Sequence, residues 1–503
     1  MAKSRATTNT AAAKKYRQKV KKTVTAKGSV AYTSTGDARV DLFYHTARGI
    51  ADTQLTTLLA ESWKVSPLDT LKIVFYNRDC RGGKGERQIF LTSITWMQEH
   101  HPETVAKNFS QIPNFGSWKD ITHLIGTNLE SQALEALSTQ LKADLKALEE
   151  DPKASVSLAA KWAPTEGNHD DVKSSAAKKL ALVLSVNRTN AKKEYRKRFL
   201  VPLRRQIKIT ETLMSQDGWD KIEFGKVPSR CMKLQRKSFE KHEPERFAAY
   251  TAALTKGEAK VNAKQLFPHE ICKSYFNASA VDPILEAQWK VLQEETAKLG
   301  KLSDCIVLSD VSGSMSGTPM EVSVALGLLI SSLTDEPFRD LVISFHETPS
   351  FCKVVGNSLF ERVRCIKAFP WGGSTNFNLV FDLILQKAIK NKLPQEAMPK
   401  KLFVISDMQF DSADNSYKSN HENMLKQYKK AGYEPPQIIY WNVNGSYTTT
   451  PVGDASIPGV GLVSGFSPSI LKAIIEAGDT TTLSPLAMLQ PILEDKRYAD
   501  LTV

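Results

Sequence analysis

The chain has 503 residues and a formal net charge of +13 at pH 7, with 41% hydrophobic and 24% charged residues. A chain of this length exceeds what one hydrophobic core organises, and its composition is typical of a soluble globular protein rather than a disordered one. No apolar run approaches about 18 residues, so we expect no membrane partner. Six scattered cysteines without a CxxC pair favour a reducing compartment and argue against structural zinc.

Residues 1–36 contain nine Lys or Arg and no Asp or Glu, and few of their side chains are apolar. We expect a basic, disordered arm, which is typical of a nucleic-acid partner, although a solubilising tail has the same composition. The segment also resembles an organelle transit peptide. We therefore predict a cytoplasmic protein and leave nuclear or organellar targeting open.

Residues 37–298 show helical periodicity throughout. Leu55, Leu58 and Leu59 form one apolar stripe, and the same spacing recurs along the segment. Because alternating β-branched runs are scarce, we predict an all-α array, which a helical solenoid of HEAT type would fit. No clean repeat period is visible.

A glycine-rich basic segment at 77–87, NRDCRGGKGER, interrupts these helices. Its backbone N–H groups and the cations of Arg81, Lys84 and Arg87 could bind phosphate, although it lacks the Walker spacing. A helix–helix turn with solvated charges is the alternative. Trp118 and Trp162, in two nearby aromatic segments, could stack on bases or anchor the core, and core packing is the favoured reading.

The strongest basic cluster lies between residues 192 and 208, where a single acid, Glu194, accompanies eight cations. Interleaved apolar residues would face the core of a helix while the cations project outward along a phosphate backbone. A merely solvated helix is the alternative. The candidate RNA-binding residues here are Lys192, Lys193, Arg196, Lys197, Arg198, Arg204, Arg205 and Lys208.

After about residue 299 the pattern changes to strands alternating with helices, which predicts a doubly wound, mostly parallel sheet. The predicted helices are 319–333, 358–368, 376–390, 417–431 and 467–477. The predicted strands are Cys305–Ser309, Leu341–Phe345, Leu402–Ser406, Ile438–Val443 and Val460–Ser464, with Pro349–Val355 as an added edge strand.

Oxygen-bearing side chains follow three strand-like segments of this half: Asp310, Ser312, Ser314, Thr375 and Asp407. Because ligands bind at the carboxyl ends of strands in such sheets, we expect these residues to converge. They are hard ligands that suit Mg²⁺, with Mn²⁺ or Ca²⁺ as alternatives, and they disfavour zinc. A Ser- and Asp-rich turn without metal is the competing interpretation.

DxSxS at 310–314, Thr375 in a GGSTN loop and Asp407 after a strand resemble the metal-ion-dependent adhesion site (MIDAS) of a von Willebrand A domain. The segments NRDCRGGKGERQ, FGSWKDI, AAKWAPTE, KRFLVPLRRQI and KVPSRCM resemble a Ro-like (TROVE-related) family that carries such a domain at its C-terminus. The resemblance implies a HEAT-like helical domain at 37–298 and a Rossmann-like von Willebrand A domain at 299–482. A C-terminal segment, 483–503, would pack back on the helices.

The resemblance implies a non-enzymatic, ribonucleoprotein-type RNA-binding protein whose basic helical surface binds a small structured RNA. The alternative is a protein-interaction scaffold that captures an acidic partner residue at the metal site. No GxSxG, Walker or zinc-hydrolase motif is present, so we expect no enzymatic activity.

Overall fold

The computed structural model describes residues 20–185, 188–300, 302–345, 348–369, 377–411, 419–476 and 483–503. The chain divides into two compact units, and each of them is discontinuous in sequence. The first unit comprises Met1–Ile73, Gly82–Glu86 and Ala263–Ala499, and the second comprises Val74–Arg81, Arg87–Asn262 and Asp500–Val503. The helical half therefore contributes to both units, whereas the sequence pattern places one boundary near residue 298.

A six-stranded sheet forms the centre of the first unit. Its strands are β3 (Cys305–Asp310), β4 (Leu341–Phe345), β5 (Ser350–Lys353), β6 (Lys401–Ser406), β7 (Gln437–Asn442) and β8 (Val460–Ser464). They lie in the order β5-β4-β3-β6-β7-β8, with only β5 antiparallel to its neighbour. All six residues of β3 are buried, as expected for a central parallel strand covered on both faces.

The first unit also contains α-helices, several of which pack against this sheet. The helix Thr318–Leu333 packs on β3 closely enough that a Cβ on Gly327 would lie 2.1 Å from Ser309 Oγ. Any larger residue at that position would require the Ser309 side chain to move. The helices of this unit are Ala38–His45, Asp52–Val65, Pro268–Cys272, Pro283–Ala297, Thr318–Leu333, Leu359–Lys367, Asn378–Asn391, Asn420–Ala431, Ile470–Glu476 and Pro485–Glu494.

The described part of the N-terminal arm is a β-hairpin, formed by β1 (Lys22–Val24) and β2 (Val30–Tyr32). After the hairpin, the buried carboxylate of Asp41 accepts hydrogen bonds from the Ser34 hydroxyl at 2.6 Å and the Thr35 amide at 2.8 Å. For residues 20–36 the expectation of disorder is therefore wrong. Basic composition conceals two short β-prone runs around Gly28, whose φ of +89° suits the turn. Residues 1–19 lie outside the described residues.

The second unit consists of helices. Residues 500–503 also belong to it, and Asn108 exchanges hydrogen bonds with the Thr502 main chain, donating at 2.6 Å and accepting at 3.1 Å. The helix Pro67–Arg78 passes from the first unit into the second. The further helices are Arg87–His100, Pro102–Asn108, Ile112–Phe115, Trp118–His123, Glu130–Glu150, Ala159–Trp162, His169–Ser174, Ala176–Leu184, Ala191–Glu194, the π-helical turn Tyr195–Leu200, Val201–Ile207, Thr210–Ser215, Ser229–His242 and Pro244–Lys256.

The architecture agrees with the predicted combination of an α-helical half and an α/β half. Each strand predicted after residue 299 is present, and the bounds of the five parallel strands differ from the predicted ones by at most one residue at either end. Apolar runs bounded by polar residues were sufficient for this part of the prediction. A HEAT-type arrangement of the helices stays a prediction.

Candidate cation site and basic surface

The candidate cation site lies where the two central strands of the sheet end. β3 and β6 are parallel neighbours, with Ser309 paired to Ile405. Asp310 is therefore level with Ser406, and Asp407 follows directly. This topology brings Asp310 and Asp407 to one edge of the sheet, as the sequence predicts for a ligand-binding edge.

Asp310 is fully buried, and short hydrogen bonds fix its carboxylate. Its Oδ1 accepts from the Ser312 amide at 2.9 Å, and its Oδ2 accepts from the Ser406 hydroxyl at 2.5 Å. The Ser312 and Ser314 hydroxyls lie 3.2 Å apart. Ser312 is buried and Ser314 is half-buried beside the exposed Gly313, so the cluster reaches the surface on the Ser314 side.

Asp407 is 1% exposed, and only one of its carboxylate oxygens is paired. Oδ1 accepts a hydrogen bond from the Gln409 amide at 3.0 Å. Oδ2 is buried and has no hydrogen-bond partner among the described residues. A buried carboxylate oxygen left without a partner is costly, and a bound cation is one of the few groups that would satisfy it.

The charge of Asp407 also acts on the carboxyl group of Asp310. Burial, and then the neighbouring charge of Asp407, raise the pKa of Asp310 to about 6. Within the described parts of the chain neither side chain forms an ion pair with Lys, Arg or His, so no cationic side chain is seen to offset the charge of the pair. The cluster is thus a group of oxygen-bearing side chains with uncompensated negative charge at the sheet edge.

One predicted ligand of the cation site does not belong to the described residues. Thr375, the fifth predicted ligand, lies in 370–376, which is not among the described residues. Across the described residues no three His, Cys, Asp or Glu side chains form a potential metal-binding group. A cation at this edge would therefore depend on the hydroxyls of Ser312 and Ser314 as well as on the two carboxylates. Ser406 belongs to the cluster too, and sequence reasoning missed it, although its place next to Asp407 at a strand end was a signal.

The glycine-rich segment 77–87 is not a free phosphate-binding loop. In the first unit, Lys84 is fully buried, and its Nζ lies within hydrogen-bonding distance of four acceptors: the carbonyls of Phe43 and Thr46, the Thr46 hydroxyl, and Ser464 Oγ at 2.8 Å. The prediction that Lys84 binds RNA is wrong, because the ammonium is shielded from solvent and fully engaged. Burial lowers its pKa well below the ordinary value.

The arginines of the same segment that belong to the second unit also form ion pairs or hydrogen bonds. Arg87 Nε donates to Asp120 Oδ1 at 2.6 Å, and the buried Arg78 binds Asp120 Oδ2 at 2.8 Å. Arg81 is exposed and donates to the Asn114 carbonyl at 2.8 Å. RNA contact by Arg81 and Arg87 stays a prediction. The ion pairs with Asp120 and the bond to Asn114 already give these arginines a role in packing.

The segment FGSWKD, residues 115–120, packs against these arginines and supplies Asp120. The Ser117 amide donates to Asp120 Oδ2 at 2.7 Å, and a Cβ on Gly116 would lie 2.0 Å from the same oxygen. Gly116 is thus required by the close approach of Asp120 and Arg78. The two segments that look like separate motifs in the sequence form one buried ionic cluster.

The basic segment 192–208 presents most of its charge to solvent. Tyr195, Phe199, Leu200 and Leu203 are buried. Arg204 is half-buried, and its guanidinium donates to the carbonyls of Ala160 and Ala163. The exposed cations are Lys192, Lys193, Arg196, Lys197, Arg198, Arg205 and Lys208. Most of the predicted apolar face is buried and most of the cations are exposed, as predicted, but Val201 is exposed and Arg204 is engaged in packing.

Two of the exposed cations are neutralised locally. Lys192 pairs with Glu166, and Arg198 lies 3.6 Å from Glu194. Lys193, Arg196, Lys197, Arg205 and Lys208 have no acidic partner among the described residues. These five side chains are defined here as the basic surface.

Trp118 and Trp162 are both half-buried. The ammonium groups of Lys119 and Lys161 lie 5.3 Å and 5.4 Å from the centre of the Trp162 ring. Neither ring is a fully buried core anchor. No helix in the described residues combines the length and apolarity needed to cross a membrane.

The two halves of the chain match two family models. Residues 25–138 and 134–302 match a domain of unknown function, DUF2828, and residues 304–491 match a second domain of unknown function, DUF7788. The chain is 31% identical to the uncharacterized protein L728 of Acanthamoeba polyphaga mimivirus, over 93% of this chain and 87% of the viral protein. By fold, this is a two-unit protein with a helical part and an α/β part. The chain belongs to the DUF2828 family.

These matches overturn the predicted resemblance. Neither family model nor the mimivirus relative points to a Ro-like family or to a von Willebrand A domain, so both assignments are wrong. The physical reason is that the shared features are short. Oxygen-rich turns at the ends of parallel strands and glycine-rich turns between helices arise from packing in unrelated folds. A cation site can therefore be argued only from the geometry of the residues at the ends of β3 and β6.

Proposed function

We propose that the chain is a non-enzymatic binding protein that holds a divalent cation at the carboxyl edge of β3 and β6. The observation that carries this proposal is the buried, unpartnered Oδ2 of Asp407 beside the buried Asp310. The described groups that hydrogen-bond to these carboxylates are serine hydroxyls and backbone amides, with no histidine or lysine positioned as a general base. Such a donor set supports ligation rather than proton transfer.

The donors fit a hard cation. Asp310, Asp407, Ser312 and Ser314 would hold it, and Thr375 is the predicted fifth ligand. Carboxylate and hydroxyl oxygens suit Mg²⁺, with Mn²⁺ or Ca²⁺ as alternatives, and lack the nitrogen and sulfur ligands that favour zinc. The cation would supply positive charge to offset the two carboxylates. Because the Ser314 side reaches the surface, an open coordination position there would accept an acidic side chain of a protein partner.

Isothermal titration of the full chain with Mg²⁺, Mn²⁺ and Ca²⁺ tests this proposal. We expect one site per chain and a raised melting temperature, because a ligand that binds only the folded state stabilises it. Asp407→Asn and Asp310→Asn should abolish both effects. Asp335→Asn, at an exposed position of the same unit, should leave them intact. A wild-type chain that binds none of the three cations would refute the proposal.

A second candidate function is RNA binding by the basic surface. Its supporting observation is that Lys193, Arg196, Lys197, Arg205 and Lys208 are exposed without acidic partners among the described residues. Arg and Lys side chains clustered on one helical segment can follow a phosphate backbone. A HEAT-type stacking of the helices would extend such a surface, and it belongs to this proposal.

Salt dependence tests the RNA proposal. We expect affinity for a defined RNA hairpin to fall steeply with salt. The double variant Arg196→Gln with Lys197→Gln should reduce the slope of the logarithm of affinity against the logarithm of salt concentration by about 1.5. The matched control is Lys387→Gln with Lys390→Gln, on an exposed helix face of the first unit, which should preserve the slope. Affinity that stays flat across salt concentrations, or an equal effect of both double variants, would contradict RNA binding at this surface.

A further inference from the structure

The N-terminal hairpin holds the loop that carries Asp407. The Thr25 hydroxyl donates to the Phe410 carbonyl at 2.8 Å, and the Ala26 amide donates to Gln409 Oε1 at 2.8 Å. Gly28 forms an antiparallel bridge with Asp411. Three consecutive residues after Met408 are therefore fixed by a segment that is almost 400 positions away in sequence.

Gln409 connects this contact to the candidate cation site. Its side chain accepts the hydrogen bond from the hairpin, while its own amide donates to Asp407 Oδ1 at 3.0 Å. Between the two residues, Met408 has a φ of +62°, in the left-handed region that non-glycine residues rarely adopt. Such a conformation persists only where the surroundings enforce it. The hairpin contacts and the Met408 amide, which donates to Ser406 Oγ at 3.0 Å, do so here.

The hairpin is itself anchored on the same unit. Asn420 Nδ2 donates to Ser29 Oγ at 3.0 Å, and the Tyr32 and Thr450 main chains exchange hydrogen bonds of 2.9 Å in both directions. Thr25 and Ser29, in the turn between its two strands, are buried. The hairpin is thus a packed structural element rather than a loose tail, and it can impose a position on the loop.

We propose that Thr25, Ala26 and Gln409 are positioning residues of the cation site. The hairpin fixes Gln409, Gln409 fixes the Asp407 carboxylate, and the unpartnered Oδ2 is thereby held in the orientation that accepts the cation. This inference rests on the proposed cation-binding function and goes beyond it. It makes cation affinity depend on the docking of an N-terminal segment that supplies no ligand itself.

The test measures Mn²⁺ affinity of the full chain by isothermal titration and electron paramagnetic resonance. Thr25→Val keeps the shape and removes the hydroxyl, and Gln409→Ala removes the connecting side chain. Supporting groups behind metal ligands typically contribute 10- to 100-fold to affinity, so we expect losses of about tenfold or more. Thr57→Val, an exposed threonine on a helix of the same unit, is the matched control and should bind Mn²⁺ like the wild type.

A second readout keeps the proposal separate from general loss of folding. Hydrogen exchange should show faster exchange of the 407–411 amides in both variants, with the strands of the sheet still protected. Faster exchange with wild-type Mn²⁺ affinity would overturn the positioning role while leaving the cation site standing. A wild-type chain that does not bind Mn²⁺ would instead overturn the cation site, and this inference with it.

Discussion

Arg78 and Asp120 form an ion pair of 2.8 Å in which the side chains are 4% and 0% exposed. The same carboxylate accepts from Arg87 and from the Ser117 amide, so its oxygens are saturated by donors. A buried charge is tolerated only when it is paired and hydrogen-bonded. This cluster gives a packing explanation for two polar, glycine-containing segments of the helical half that look functional in the sequence.

Asp120→Asn should therefore destabilise the second unit by on the order of 3–5 kcal/mol, because it leaves the Arg78 guanidinium buried without a counter-charge. Urea unfolding followed by circular dichroism measures the change. Arg87→Gln, at the partly exposed partner, should cost clearly less. Equal losses of unfolding free energy in the two variants would show that burial of the Arg78–Asp120 pair does not determine the loss.

Lys84→Met should destabilise the first unit by on the order of 2–4 kcal/mol, since the carbonyls of Phe43 and Thr46 and the Ser464 hydroxyl lose their common donor. Lys64→Met, at an exposed helix position, should have a small effect. Thermal unfolding measures both. A Lys84→Met chain that is fully stable but loses RNA affinity would contradict the structural role assigned to Lys84 and restore it as a phosphate ligand.

Acid should destabilise the first unit through His45. Burial, followed by the charge of Lys84, lowers the pKa of His45 from 6.5 to about 3. The unfolded chain therefore binds a proton that the folded chain does not, and the free energy of unfolding falls as the pH drops from about 6.5 towards 3. Buried His421, with a pKa lowered to about 4, acts in the same direction.

His45→Phe should remove part of this dependence, reducing the slope of unfolding free energy against pH by up to about 1.4 kcal/mol per pH unit near pH 5. The comparison is between slopes, so a change in baseline stability does not affect it. His242→Gln, at an exposed position, should retain the wild-type slope. An unaltered slope in His45→Phe would show that His45 takes up protons freely in the folded state.

The elements of the sheet could be predicted because each depends on a local pattern. Apolar runs ending in polar residues mark β3 and β6, and parallel pairing then brings Asp310 and Asp407 to one edge. Helical spacing also predicts most of the buried and exposed positions of 192–208, although Val201 and Arg204 depart from it.

What could not be predicted depends on contacts distant in sequence. From its sequence neighbours Lys84 is interpreted as a free cation, because the groups that surround it, on Phe43, Thr46 and Ser464, are 38 to 380 positions away. The hairpin of residues 22–32 was hidden by its basic composition, and its partners lie between residues 409 and 450. The sequence pattern does not distinguish Arg204 from Arg205, and only the fold shows that Arg204 donates to the carbonyls of Ala160 and Ala163.

The central claim, a divalent cation at the ends of β3 and β6, is tested most directly by a crystal of the full chain soaked with Mn²⁺. The account predicts an anomalous difference peak at bonding distance from the Ser312 and Ser314 hydroxyls, adjacent to Asp310 and Asp407. The peak should be absent in a matched Asp407→Asn crystal. A wild-type crystal with no peak at this edge of the sheet, and Asp407 Oδ2 bonded to a protein donor instead, would contradict the account.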